Sequence, residues 1–254
     1  MTAKILTGKR AVVTGASSGM GAAIARRFAA EGADIWAVGG GDAEGLHKTV
    51  AGCAKSGVRS GGAGYDFSRP RTAGEAIREG AEFLGGLDIL VNCAGGRNFK
   101  ALTDLSDADI DFMFDLNVKS YFFASREAAR IMVPQESGHI IMMGSVSGER
   151  ARPMRSLYCA TKAAVHSLTR SMALELGPLG LRVNCVAPGL IDSGRVKKMM
   201  EDDPDLSRKR IAGIPLSRLG DPGQIAAMVL FMVSPENDFM NGAIVPVDGG
   251  SMAG

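Results

Sequence analysis

Short apolar segments alternate with longer helical stretches along almost the whole chain of 254 residues. The segments typical of strands are Arg10–Thr14, Asp34–Val38, the glycine-rich Val58–Tyr65, Asp88–Asn92, His139–Met143, Arg182–Val186 and Ala243–Val247. The segments typical of helices are Met20–Glu31, Ala43–Ser56, Arg71–Leu84, Asp107–Val133, Leu157–Gly177 and Asp221–Val233. This alternation predicts a parallel sheet with helices on both faces. We therefore expect residues 1–254 to form one doubly wound α/β domain with about seven strands.

The final predicted strand contains a proline, Pro246. Proline has no backbone N–H to donate to a neighbouring strand, so within sheets it is confined mainly to edge strands. We therefore expect this strand to form an edge of the sheet.

Composition and charge exclude several classes of protein. The 29 basic and 27 acidic residues give a net charge of +2, and no basic run is interleaved with aromatic residues, which argues against nucleic-acid binding. No apolar run reaches the roughly 18 residues that a membrane-spanning helix needs. The four cysteines are scattered and form no C-x-x-C pair, a pattern typical of free thiols in a reducing compartment. We expect a cytoplasmic protein that needs no metal.

The segment Pro188–Gly220 interrupts the alternation of strands and helices. It is rich in charged residues and is punctuated by Pro204 and Pro215. Long insertions in compact domains often cover a site, so we interpret the segment as a substrate lid. A surface excursion without function is the alternative.

A glycine-rich turn, Thr14–Gly21, joins the first predicted strand to the first predicted helix. Glycine lets the backbone turn tightly and lie close to a ligand. The helix that follows presents unpaired N–H groups and a partial positive charge, which suit a pyrophosphate. The turn is therefore interpreted as a phosphate site of a nucleotide cofactor, rather than as a purely structural turn.

Tyr158 and Lys162 are four residues apart in a predicted helix. Residues at this spacing share a helix face, so the phenol and the ammonium can point into the same space. A nearby cation favours the phenolate, which suits the pair to proton transfer beside a cleft. Taken alone, the same spacing also describes a packed ring beside a solvated charge.

The motifs, in their order and spacing, resemble those of the short-chain dehydrogenase/reductase family over nearly the whole chain. Thr14–Gly21 is similar to the family's cofactor-binding motif, and Asn92–Gly95 is similar to its N-N-A-G motif, with Cys93 as a departure. Four residues match its Asn–Ser–Tyr–Lys tetrad: Asn117, Ser145, Tyr158 and Lys162. The resemblance implies a Rossmann-like fold and an NAD(P)-dependent oxidoreductase that acts on CH–OH groups.

The resemblance also implies a role for each member of the tetrad. Tyr158 exchanges a proton with the substrate, whose oxygen Ser145 binds. Lys162 holds the nicotinamide ribose and favours ionisation of Tyr158, while Asn117 holds a water in a relay to Lys162. Independently, Ser145 follows the carboxyl end of a predicted strand, where open α/β sheets bind ligands.

The resemblance implies a cofactor site of residues from several loops. They are Gly15, Ser17, Ser18, Met20, Gly21, Gly39, Gly40, Asp66, Phe67, Asn92, Ala94, Gly95, Tyr158, Lys162, Pro188, Gly189, Ile191 and Ser193. Asp66 would bind the adenine amino group, although capping the turn after the third strand is an open alternative.

The residues after the second strand determine the choice between NAD and NADP. An acidic residue there binds the ribose 2′-OH, and a nearby arginine accommodates a 2′-phosphate. Gly39 and Gly40 occupy those positions, and Ser18 occupies the family's other basic site. The balance favours NADP(H) over NAD(H), although Asp42 could reach back to the ribose.

Arginines are frequent near the predicted site. Arg152 and Arg155 lie between Ser145 and Tyr158, Arg97 follows the Asn92–Gly95 motif, and Arg195 opens the predicted lid. Arginine binds carboxylate, sulfonate or phosphate in a bidentate manner, so we expect a polar or anionic alcohol or ketone as substrate. The alternatives are arginines that are merely solvated or paired with acids, and a 3-oxoacyl thioester reductase whose arginines bind the acyl carrier protein.

The predicted helix Asp107–Val133 carries apolar residues on more than one face, which indicates burial on more than one side. Resemblance adds that the family commonly forms tetramers through this helix and the Tyr158 helix, so we expect a homotetramer. A hypothesis from another class is a catalytically silent nucleotide-binding or sensing protein on the same fold. The complete tetrad argues against it.

Overall fold

Seven strands form a single parallel sheet in a computed structural model that describes residues 4–193, 196, 202 and 204–253. The strands are β1 (Arg10–Thr14), β2 (Asp34–Gly39), β3 (Ser60–Gly64), β4 (Ile89–Asn92), β5 (Gly138–Met143), β6 (Leu181–Pro188) and β7 (Ile244–Val247). Their order is β3-β2-β1-β4-β5-β6-β7, which confirms the doubly wound fold and the edge position of the strand with Pro246.

Helices cover both faces of the sheet. They are α1 (Gly19–Ala30), α2 (Ala43–Ala54), α3 (Thr72–Leu84), α4 (Asp107–Phe114), α5 (Ser120–Met132), α6 (Ser156–Leu176), α7 (Pro204–Ala212) and α8 (Pro222–Val233). On one face α1 packs against α8, and Phe28 and Ile225 are buried there. On the other face α3 packs against α5, and Ile77 and Tyr121 are buried.

The predicted continuous helix Asp107–Val133 is wrong in one respect. A π-helical turn, Asp115–Lys119, separates α4 from α5, and the α-helix ends at Met132. The side chain of Asn117, at the centre of this turn, bonds to the backbone of Gly96. Turns of this kind often occur at functional sites. The carboxamide of Asn117 is fully buried at this wider turn. Apolar periodicity alone predicts a regular helix here.

The order of the strands places a crevice at the carboxyl ends of β1 and β4. From β1 the chain adds β2 and β3 toward one edge of the sheet, and from β4 it adds β5, β6 and β7 toward the other edge. The direction of the strand order therefore reverses between β1 and β4. Ligands bind in open α/β sheets at such a point. The loops after β1, β4, β5 and β6 therefore converge on one cleft.

The predicted lid is described only in part. Its described portion includes α7 and an isolated parallel bridge between Ile191 and Gly220. Arg195, one of the predicted substrate residues, lies outside the described residues. Within the described part of the chain, no helix is both long and apolar enough to cross a membrane.

Candidate active site

The turn between β1 and α1 is shaped by glycines that no other residue could replace without a shift. Gly15 has φ 67°, and a Cβ added to it would lie 2.7 Å from the backbone nitrogen of Ala94. A Cβ on Gly21 would lie 2.3 Å from the carbonyl oxygen of Gly15. At the start of α1, Ser18 makes no side-chain capping hydrogen bond. The first N–H groups of that helix are thus left without a side-chain cap, as an anion-binding helix terminus requires.

A second part of the cleft lies beyond the end of β2. Its lining includes Ser17, Gly39, Gly40, Asp66 and Phe67. The Ser17 hydroxyl is buried and has no hydrogen-bond partner among the described residues. A Cβ on Gly39 would approach that hydroxyl to 2.4 Å, so an acidic residue would not fit there without rearrangement.

The two aspartates near this part of the cleft have local partners. Asp42 caps α2 by accepting a hydrogen bond from the Gly45 N–H at 2.8 Å. Asp66 accepts from the hydroxyl of Ser68 at 2.6 Å and from its N–H at 3.0 Å, which lowers the pKa of the Asp66 carboxyl. The structure therefore contains the turn-capping bonds of Asp66, and the carboxylate also borders the cleft.

Asn92 is one predicted cofactor residue that the structure does not bring into the cleft. Its side chain is 1% exposed and donates to the Ser125 hydroxyl at 3.0 Å. Sequence reasoning missed a residue with a related structural role, Thr14. Its hydroxyl accepts from the N–H groups of Cys93 at 2.9 Å and Ala94 at 3.1 Å. Thr14 therefore ties the glycine-rich turn to the loop after β4.

Three members of the predicted tetrad meet where the loops after β4 and β5 approach α6. The Lys162 ammonium donates to the carbonyl oxygen of Met143 at 2.7 Å and lies 6.0 Å from the ring centroid of Tyr158. Ser145 is 8% exposed, and its hydroxyl accepts from the Ser147 N–H at 3.1 Å. Tyr158 borders both the part of the cleft next to the glycine-rich turn and the cavity next to Ser145.

Asn117, the fourth member, is fully buried beside this group. Its Oδ1 accepts from the Gly96 N–H at 2.8 Å, while its Nδ2 donates to the Gly96 carbonyl and to the Thr161 hydroxyl, both at 3.1 Å. An amide nitrogen has two protons, so Nδ2 is saturated. The predicted water would have to donate to Oδ1 or bind the main chain.

Four arginines border the cavity next to Ser145: Arg97, Arg152, Arg155 and Arg210. The guanidinium of Arg155 lies 4.5 Å from the ring centroid of Phe99, and that ring meets Tyr158 edge-on with centroids 6.2 Å apart. Burial is the main cause that lowers the pKa of Arg155, followed by the charges of Arg210, Arg152 and Arg97.

Two arginines show what sequence spacing could not resolve. Arg210 lies on α7, and no motif or periodicity signals that it borders the same cavity as Arg155. Arg150 lies in the loop between Ser145 and Tyr158, yet its guanidinium donates to the carbonyl oxygen of Ser251.

The chain is similar to known proteins over almost its whole length. A family model described as "Enoyl-(Acyl carrier protein) reductase" matches residues 15–252. Oxidoreductase UcpA of Escherichia coli (strain K12) is 34% identical over 252 residues, which cover 97% of this chain and 95% of that protein. Gluconate 5-dehydrogenase of Gluconobacter oxydans is 34% identical over 247 residues, covering 96% of this chain and 95% of that protein.

A solved structure is also similar, that of a short-chain dehydrogenase from Burkholderia cenocepacia in complex with NADP. It superimposes with a TM-score of 0.89 at 37% identity, covering 97% of this chain and 99% of that one. This chain is a short-chain dehydrogenase/reductase. It is therefore an NAD(P)-dependent oxidoreductase that transfers a hydride between the cofactor and an alcohol or ketone.

The geometry of this short-chain dehydrogenase/reductase fits a dinucleotide. The cleft runs from Gly39 and Asp66, past the start of α1, to Gly95 and Lys162. A Cβ on Gly95 would lie 3.9 Å from the Lys162 ammonium, so the missing side chain leaves that ammonium open to the cleft. The buried hydroxyl of Ser17, which has no partner among the described residues, offers a further donor at the opposite end.

Proposed function

We propose that this enzyme reduces or forms a ketone on a small substrate that carries an anionic group, with NADP(H) as its cofactor. The observation that carries the proposal is that Ser145 and Tyr158 share one cavity with four arginines. The reacting oxygen and the anionic group of one small substrate would both have partners there.

The proposed chemistry divides between the cofactor and the protein. When bound, the nicotinamide supplies the hydride to the carbonyl carbon in reduction and accepts it in oxidation. The Tyr158 phenol gives its proton to the carbonyl oxygen, so C=O becomes CH–OH, and Ser145 donates a hydrogen bond to the same oxygen. In oxidation Tyr158 receives the proton.

Lys162 and Asn117 act from behind the phenol. One Lys162 proton is held by the Met143 carbonyl, and the ammonium borders the cleft, where it would bind the ribose hydroxyls of the cofactor. Asn117 fixes the Gly96 backbone through two hydrogen bonds. The water relay through Asn117 stays a prediction.

The preference for NADP(H) is supported by the end of β2. Gly39 leaves no carboxylate to repel a 2′-phosphate, and the Asp42 carboxylate is engaged as a helix cap. The Ser17 hydroxyl has no protein partner among the described residues and would be free to donate to a phosphate bound beside it. We expect a higher kcat/KM with NADPH than with NADH, and a hundredfold preference for NADH would contradict this.

An acyl-carrier-protein-linked reductase is the second candidate function. The description of the matching family model names a reductase of enoyl groups on the acyl carrier protein, which likewise acts on a carrier-bound chain. The arginines that line the cavity would suit an acidic carrier as well as a small anion. Reduction of a 3-oxoacyl thioester on the carrier, faster than reduction of any free anionic ketone, would favour this candidate.

We further propose a homotetramer in the cytoplasm. Apolar side chains are exposed on the helices that the family uses for assembly, including Phe112 on α4, Phe122 on α5 and Leu174 on α6. All four cysteines are free thiols, as expected in a reducing compartment. Light scattering at micromolar concentration should give the mass of four chains, and a monomeric mass would contradict the assembly.

The Tyr158→Phe substitution tests the proposed chemistry. It removes the proton donor and keeps the ring, so turnover should fall by about 10²–10⁴-fold. The dissociation constant for NADPH, measured by fluorescence titration, should stay within about threefold of wild type, because the phenyl ring still packs beside Phe99. Wild-type turnover by this variant would refute the mechanism.

A further inference from the structure

Three arginines of the substrate cavity have no carboxylate partner within the described part of the chain, unlike several arginines elsewhere. Arg10, Arg27, Arg78 and Arg130 each form an ion pair with an aspartate or glutamate. By contrast, Arg97, Arg152 and Arg155 form no ion pair within the described part of the chain. Arg210 borders the same cavity.

The described lining of the cavity also lacks acidic groups. Among its described lining residues there is no aspartate or glutamate. A guanidinium does not deprotonate in proteins, so several positive charges face a space that nothing in the described lining neutralises. At half-buried Arg155, burial and then the charges of Arg210, Arg152 and Arg97 lower the pKa of the guanidinium.

A bound anion relieves this repulsion in proportion to its charge. Coulomb energy scales with the product of the charges, so a group with two negative charges gains about twice as much as a group with one. Guanidinium forks bind the oxygens of phosphoryl groups in a bidentate manner. If three or more guanidinium groups each bind in a bidentate manner, they offer more N–H donors than the two oxygens of a carboxylate can accept.

Phe99 sets the distance between the anionic group and the reacting carbonyl. Its ring face supports Arg155 at 4.5 Å, and the ring packs edge-on against Tyr158. The guanidinium of Arg155 and the ring of Tyr158 thus both contact the ring of Phe99. This arrangement favours a substrate whose anionic group and carbonyl are only a few bonds apart.

We propose that the substrate carries a doubly charged phosphoryl-type group, a phosphate monoester or a phosphonate, and that Arg97, Arg152, Arg155 and Arg210 select it over singly charged analogues. This inference rests on the proposed function of the same cavity. It excludes a phosphodiester as the preferred group, since a diester carries only one charge.

The test compares three ketones of similar size: acetonylphosphonate, acetonylsulfonate and acetoacetamide. The second ionisation of a phosphoryl group has a pKa of about 6, whereas the sulfonate keeps one charge throughout. We would measure kcat/KM for each ketone with NADPH between pH 5 and pH 8. In the ratio of kcat/KM for the phosphonate to kcat/KM for the sulfonate, the pH dependence that comes from the enzyme's own groups cancels.

The ratio should rise at least about tenfold between pH 5 and pH 8, as the second charge forms. Arg155→Gln and Arg210→Gln should each flatten that rise, because each removes a charge from the cavity. Arg150→Gln is the matched control from the same loop and should leave the rise unchanged, since Arg150 binds the Ser251 carbonyl instead.

The failures of the two proposals differ. A flat ratio, with phosphonate and sulfonate both reduced faster than the amide, would overturn the double charge and keep the anionic substrate. An amide reduced as fast as both anions would overturn the anionic substrate itself, and the double charge with it. A rise that survives both arginine substitutions would show that these arginines do not select the charge.

Discussion

The two ends of the cleft differ in the parts of the chain that line them. The cofactor region, formed by Thr14–Gly21, Gly39–Asp42 and the loop at Asp66, consists largely of backbone with small side chains. The substrate region, formed by Arg97, Arg152, Arg155 and Arg210 around Ser145, consists of long cationic side chains. If the proposed function is right, backbone shape holds the cofactor that the family shares, while side-chain charge selects the substrate of this enzyme.

Ser145 lies in the substrate region, so its substitution should affect turnover and leave cofactor binding unchanged. Ser145→Ala removes a hydrogen-bond donor to the reacting oxygen, so kcat should fall by about 10²–10³-fold. The affinity for NADPH should not change. Ser147→Ala is the control, because the Ser147 backbone N–H, which holds the Ser145 hydroxyl, is retained. Loss of NADPH binding in Ser145→Ala would show that the two regions are not separable in this way.

Backbone shape in the cofactor region is tested by a single added methyl group. Gly21→Ala places a Cβ 2.3 Å from the Gly15 carbonyl oxygen, and the shift that follows should weaken NADPH binding by about 10–100-fold. Gly74→Ala in α3 is the matched control, because its added Cβ would meet only ordinary contacts, the nearest 3.7 Å from the Phe123 carbonyl oxygen. Titration of cofactor fluorescence measures both. Equal affinities for the two variants would contradict the role of backbone shape.

Charge in the substrate region is tested by Arg155→Gln. A charge-assisted hydrogen bond contributes about 1.5–3 kcal/mol, so kcat/KM for an anionic ketone should fall by about 10–100-fold. The value for a matched uncharged ketone should change little. Arg150→Gln should leave the ratio of the two unchanged. An equal loss on both ketones in Arg155→Gln would mean that Arg155 does not bind the anion.

A residue remote from both regions should affect stability without affecting either function. His139 lies near the start of β5, and burial, followed by the charge of Arg182, lowers its pKa to about 4. The unfolded histidine takes up a proton below about pH 6.5, whereas the folded one does so only near pH 4.

Histidine protonation therefore favours the unfolded state between these two values. Stability should be complete above about pH 6.5 and fall toward pH 4 by at most about 1.4 kcal/mol per pH unit from this residue. In His139→Gln this part of the decline should disappear in urea titrations at pH 4.5, 5.5 and 7. An identical slope in both proteins would exclude His139 as a cause.

The glycine-rich turn between β1 and α1 could be predicted from sequence because its constraints are local. A side chain at Gly15 or Gly21 would overlap the neighbouring backbone, so this strand-to-helix turn requires glycine at both positions. The turn can therefore be recognised from the glycine pattern itself. The doubly wound parallel sheet of about seven strands followed from strand–helix alternation, and the edge strand followed from Pro246.

The substrate region could not be predicted to the same extent because it depends on tertiary contacts. Arg210 reaches the cavity from α7, and Arg150 turns toward Ser251, although both facts are invisible in the spacing of the arginines. The π-helical turn at Asn117 was missed for a related reason. Apolar periodicity continues through it, while the partners of the Asn117 amide come from a distant loop and another helix.

The most direct test measures nicotinamide absorbance while the wild-type enzyme meets matched charged and uncharged ketones with each cofactor. The account predicts oxidation of NADPH, with kcat/KM at least about tenfold higher for the anionic ketone than for its uncharged partner. Cofactor binding without turnover of any ketone or alcohol, or equal rates for the charged and uncharged ketones, would contradict it.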